Sequence, residues 1–246
     1  MTPSFAAALV AGAVLGGFVQ GLSGFGFGLL ALTVWAWTIA PRLAGPLVVW
    51  GSCVCQLLAL VALRRRLGWS RSLPFVLGGL IGAPAGALVL PYVDQHLFRL
   101  IVGIVLLAYC GTVLVGRYLP AIAWGGRGAD AAVGMVGGFM GGLSGLTGPA
   151  PTLWCTLRGW DMDTQRGVFQ SFNLSMQSLT LVTYALDGTL RAAMIPAFAL
   201  TVPVVVLPTL AGVALYRRFS SAGFRRVVLM LLVASGVGML ASFAIG

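Results

Sequence analysis

Residues 16–24 read GGFVQGLSG, and residues 137–145 read GGFMGGLSG. Seven of the nine positions match, at an offset of 121 in a chain of 246 residues. In an apolar run, glycine either lets helices approach closely or breaks them. Two such stretches, half a chain apart, predict an internal repeat built around interrupted helices. The same offset carries Ser52 onto Asn173 and Gln56 onto Gln177.

The surroundings of both stretches are apolar. Hydrophobic residues make up 59% of the chain and charged residues 8%, with a mean hydropathy of +1.00. A soluble domain carries about 25% charged residues, so this chain cannot supply a polar shell. A soluble enzyme and a disordered protein are excluded. The apolar runs are helix-length and do not alternate, which predicts a helical polytopic membrane protein and not a barrel. All 15 basic residues are Arg, and the five acids are Asp94, Asp130, Asp161, Asp163 and Asp187. The net charge of +10 is spread over short loops and reads as a cytoplasmic bias, not a nucleic-acid surface. Cys53, Cys55, Cys110 and Cys155 lie within apolar runs and read as small hydrophobes. The N-terminus lacks the basic region of a cleaved signal peptide.

Charges, prolines and turn residues cut the chain into ten segments: 5–21, 25–40, 44–63, 73–92, 97–116, 129–143, 147–158, 167–186, 192–216 and 223–245. Six are long enough to cross a hydrocarbon core of about 30 Å. The first two of each five are short and separated by GLSGFGFG (21–28) and GGLSGLTGPAP (141–151). Arg64, Arg65, Arg66 and Arg71 form one basic loop, and Arg217, Arg218, Arg225 and Arg226 another. The positive-inside rule puts both in the cytoplasm, with Arg117 and Arg127. Parity then makes each short pair a hairpin and places both termini outside. A rival count of eight spans would put the Arg217–Arg226 loop outside, against that rule. Arg64–Arg66 map onto Ala185, Leu186 and Asp187 at the repeat offset. Halves 1–120 and 121–246 are therefore expected to be inverted repeats within one membrane domain, an organisation typical of secondary transporters.

The paired breaks Gly16–Gly28 and Gly137–Pro151, the Gly78-x-x-x-Gly82-x-x-x-Gly86 helix and the chain length resemble the sulfite exporter TauE/SafE family, also called the toluene-sulfonate uptake permeases. The resemblance spans essentially the whole chain. It implies movement of sulfite, organosulfonates or related small sulfur anions across the bacterial inner membrane. One departure is the first break, GFGFGLLAL, where Leu30 stands in the place of Pro151. The two hairpins are therefore not expected to contribute equally.

Every Arg falls in a loop or near a segment end, so an anion is expected to meet backbone N–H groups at the broken-helix tips. Ser23 with Gly24, and Ser144 with Gly145, occupy equivalent tip positions. Thr147 adds a hydroxyl, and Gly148 with Pro149 can start a helix. The competing reading is that the serines cap helix ends and the glycines permit packing. In the eighth segment Gln170, Asn173, Gln177, Thr180 and Tyr184 share one helical face. Ser52 and Gln56 share a face of the third. These two faces should converge on the tips. Their competing role is interhelical hydrogen bonding, at about 0.6 kcal/mol per contact. Gln20 ranks lower as a site residue because its counterpart is Gly141. Asp161 or Asp163 is expected to cap a helix. All five acids lie in or beside loops, and His96 lies in an outer loop near Asp94 and Arg99, so no proton carrier stands out. Gly78, Gly82, Gly86 and Pro84, and separately Pro203 and Pro208, mark close-packed or kinked helices.

The expected function is a secondary transporter of a small sulfur oxyanion, working by alternating access around a midplane site between the repeats. Alternatives are an anion channel and a non-transporting structural subunit. One His, no Lys and no Glu leave an intramembrane enzyme without its usual groups. The expected partners are a small anionic substrate, the lipid bilayer and a second copy of the chain as a homodimer, with no nucleic acid, cofactor or metal.

Overall fold

The computed structural model describes residues 3–63, 68–115, 122, 124–218, 230 and 232–241. Arg64–Arg66, Arg117, Arg225 and Arg226, and the side chains of Asp163, Arg217 and Arg218, lie outside this description. The described residues form α-helices and short 3₁₀ turns, with no strand. The helices are α1 (Pro3–Ser23), α2 (Phe27–Thr38), α3 (Pro41–Leu63), α4 (Trp69–Val89), α5 (Gln95–Val115), α6 (Gly126–Ser144), α7 (Pro149–Leu157), α8 (Met162–Leu186) and α9 (Ile195–Arg218). A further helix, α10, covers Leu232–Ala241.

Four of these stretches are long and apolar enough to cross a membrane: Pro3–Ser23, Pro41–Ala62, Trp69–Tyr92 and Ala192–Leu215. The chain is a multi-pass membrane protein. The 25-residue α8 has the length but not the apolar composition. Its polar residues Gln170, Asn173, Gln177 and Thr180 are all buried.

Two helix pairs are hairpins. Trp35 Nε1 of α2 donates to the Ala8 carbonyl of α1 at 3.1 Å, and Phe27 packs against Gly16. Trp154 Nε1 of α7 donates to Asp130 Oδ1 of α6 at 2.7 Å, and the Ile122 N–H donates to the Leu157 carbonyl at 2.7 Å. Each pair is therefore two antiparallel arms packed against each other. The turns need a left-handed backbone at Gly24 (φ 81°), Gly26 (φ 105°) and Gly145 (φ 75°), which glycine adopts at little cost.

The hairpins correct one sequence expectation. Only the second arms are short, at 12 residues in α2 and 9 in α7. The first arms, α1 with 21 residues and α6 with 19, are about 30 Å long. Their glycines stay helical because they are contact surfaces. A Cβ on Gly134 or Gly142 of α6 would collide with the carbonyls of Phe75 or Ala83 in α4. In return, Gly78, Gly82 and Gly86 of α4 face the carbonyls of Ala131, Met135 and Phe139. The two four-residue glycine series interlock, bringing backbone against backbone as in small-residue membrane interfaces. In the same manner Gly21 of α1 meets Thr209 of α9, and Gly212 of α9 meets Phe18.

Two charged residues near helix starts are buried, which their placement near segment ends did not indicate. Asp130 is the fifth residue of α6 and only 5% exposed. Arg166 is the fifth residue of α8 and equally buried. Asp161, as expected, caps α8: its Oδ1 accepts from the Thr164 N–H at 2.9 Å.

Candidate functional site

The two breaks meet at one small cavity between α3 and α8. Ser52 comes from α3, Asn173 and Gln177 from α8, Gly26 and Gly28 from the first break, and Gly145, Thr147 and Gly148 from the second. The space inside is about 10 Å³, room for roughly one water molecule.

At the first break, Gly26 stands at the N-cap of α2 and has no side chain with which to cap it. Gln20 takes over. Its Oε1 accepts from the Phe27 N–H at 3.0 Å, and its Nε2 donates to the Gly24 carbonyl at 3.3 Å and to Gln56 Oε1 at 2.6 Å. A helix's first N–H groups have no partner within the helix. With Phe27 satisfied, those of Gly28 and Leu29 remain, and both residues line the cavity.

The second break is built differently. Pro149 and Pro151 occupy two of the first three positions of α7, and neither has an N–H. This end therefore offers the positive pole of a helix but few donors. Thr147 supplies the polar contact instead, donating through Oγ1 to Asn173 Oδ1 at 2.8 Å. That bond fixes the Asn173 carboxamide and leaves its NH₂ group to the cavity.

Several buried carboxamide atoms have no hydrogen-bond partner: Gln56 Nε2, both polar atoms of Gln170, and Gln177 Oε1. An unpaired buried polar group costs about 1–3 kcal/mol. Two of these atoms are donors, on Gln56 and Gln170, and two are acceptors; only Gln177 belongs to the cavity wall.

The structure brings Ser52, Gly145, Thr147, Gly148, Asn173 and Gln177 to the cavity wall. Gln56 stands one step behind, joined through Gln20. Ser23, Gly24 and Ser144 are not on the wall. Ser23 donates to the Val19 carbonyl at 2.8 Å and touches that of Phe25, while Ser144 donates to the Met140 carbonyl at 3.0 Å. Gly24 packs against the guanidinium of Arg166; a Cβ there would stand 3.1 Å from Arg166 Nε.

Two residues at or beside the site have no place in the sequence reading, and a third, Gln20, ranks too low there. Gln20 was ranked low for want of a counterpart. Arg166 was excluded as lying near a segment end, although its place four residues before Gln170 continues the same helical face. Phe25 had no signal. Its ring packs on Gly148, lies edge-on to Phe169 and Tyr109 at centroid distances of 5.4 and 5.8 Å, and lines the cavity. No group of three metal-ligating side chains occurs among the described residues.

Comparison with known proteins identifies the family. Residues 9–239 match the family described as sulfite exporter TauE/SafE. A curated relative from Cupriavidus necator, named probable sulfite/organosulfonate exporter TauE, is 28% identical over 237 residues, covering 92% of this chain and 90% of the relative. No solved structure matches the chain. The chain belongs to the sulfite exporter TauE/SafE family, whose members are membrane transporters and not enzymes.

Proposed function

We propose that this member of the sulfite exporter TauE/SafE family is a secondary transporter that carries sulfite or an organosulfonate through the cavity between its two breaks. The observation that carries the reading is the convergence of Thr147 and Asn173 with the start of α2 on one small polar space. The anion is held by N–H dipoles, a hydroxyl and carboxamides, with no full positive charge on the cavity wall. Such neutral donors bind an oxyanion without a fixed ion pair, which favours release.

Alternating access follows from the same parts. Space for one water is too small for a sulfur oxyanion, so the walls must separate to admit one. The left-handed glycines at both breaks are the pivots, and Phe25 is the side chain that has to move. A middle this narrow supports a carrier over an open channel. The matching contacts of α1 with α9 and α4 with α6 support halves 1–120 and 121–246 of opposite orientation. With Arg-rich loops inside, both termini lie outside the bacterial inner membrane. The homodimer remains part of the proposal. Flux of labelled sulfite into inside-out vesicles tests the reading. Saturable flux is expected, and no saturable flux of any sulfur oxyanion would overturn it.

A further inference from the structure

A second pocket, sharing no wall residue with the first, opens where α4, α6 and α8 begin and α7 ends. It is a shallow, open depression of about 410 Å³ lined by Ser70, Arg71, Pro74, Arg127, Asp130, Arg158 and Trp160. Two of its arginines are held in place by aromatic rings. The guanidinium carbons of Arg71 and Arg158 both lie 5.7 Å from the centre of a Trp160 ring. Arg158 also donates to the Trp124 carbonyl at 3.1 Å, and Arg71 to Thr164 Oγ1 at 3.4 Å. None of the three arginines has an ion-pair partner among the described residues. The one acid, Asp130, is buried and accepts a hydrogen bond from Trp154 Nε1. The pocket thus carries three cations against one occupied carboxylate.

We infer that this pocket is a capture site for an organosulfonate, on the side that the arginine distribution assigns to the cytoplasm. The inference rests on the transport reading above for its purpose, but not for its chemistry. Guanidinium groups match the oxygen geometry of a sulfonate by paired N–H donors. Trp160 and Pro74 offer an apolar wall to the organic part. An open depression of this size leaves room for the organic part of a substituted sulfonate. An anionic lipid headgroup presents the same oxyanion chemistry, and the test must separate the two.

The test uses the full chain in nanodiscs of phosphatidylcholine alone, with benzenesulfonate as the probe and calorimetry as the readout. Benzenesulfonate binds the wild type. The double variant Arg71→Gln/Arg127→Gln removes two charged contacts and weakens binding about a hundredfold, and Arg127→Lys alone keeps most of it. Asn173→Ala, in the other cavity, leaves this binding in place. In vesicles the double variant raises KM for benzenesulfonate several-fold with maximal flux retained. Unchanged affinity in a folded double variant would overturn the assignment, as would loss of all binding in Asn173→Ala. Displacement of benzenesulfonate by added phosphatidylglycerol would reassign the pocket to lipid and also overturn it. Binding retained in a protein that moves no sulfur oxyanion would sink the transport reading and leave the pocket standing.

Discussion

Thr147 and Asn173 are joined by a hydrogen bond of 2.8 Å from a hydroxyl in the second break to a carboxamide in the middle of α8. The bond ties the loop at the second helix break to α8, the most polar of the described helices. It also fixes the carboxamide of Asn173, a residue of the cavity wall, through its oxygen. Asn173→Ala removes the donor, and Thr147→Val removes the group that aims it. Both are expected to cut sulfite flux about tenfold, the equivalent of one lost contact of about 1.4 kcal/mol. Interhelical hydrogen bonds in membranes are worth about 0.6 kcal/mol, so thermal melting in detergent should move little.

Gln20 makes the opposite prediction. Its carboxamide satisfies the Phe27 N–H, the Gly24 carbonyl and Gln56 at once. Gln20→Leu keeps the volume and strands all three. The expected cost is about 1–3 kcal/mol for each group left unpaired, read as a clear fall in melting temperature. An unchanged melting temperature would mean that water replaces the side chain at the start of α2.

The α4–α6 contact predicts which glycines are irreplaceable. Gly82 faces the Met135 carbonyl, so Gly82→Val should prevent the two helices from closing and sharply reduce the folded yield. Gly111 of α5 has nothing within 4 Å of an added Cβ. Gly111→Ala should be neutral or stabilise by up to about 1 kcal/mol through helix propensity. Size-exclusion profiles and melting curves of the two variants check the contrast.

Phe25 closes the cavity against Gly148, Phe169 and Tyr109. Phe25→Ala should widen it and shift selectivity toward bulkier sulfonates. Competition of benzenesulfonate against labelled sulfite flux measures this. A ratio unchanged from wild type would remove Phe25 from the size filter.

Much of this was legible in the sequence. The repeated glycine stretches located both breaks, and the spacing of Gln170, Asn173, Gln177, Thr180 and Tyr184 gave the buried face of α8. Arm length was misread because glycine has two uses in membranes, and a sequence does not say which. Gly16 and Gly137 looked like breaks but are contact surfaces facing Phe27 and Pro151. Gln20 was discounted by a symmetry argument that its own site violates: the first break needs a borrowed cap, whereas the second starts on proline. Asp130 and Arg166 were placed at segment ends by counting apolar residues. Their burial depends on Trp154 and Gly24, which lie far off in sequence or on another helix.

The central claim is that a sulfur oxyanion passes between the two breaks and is held by Asn173. Its most direct test is counterflow of labelled sulfite in proteoliposomes holding either the wild type or Asn173→Ala. The account predicts saturable exchange by the wild type and about tenfold less by the folded variant. Equal exchange by both proteins would contradict it.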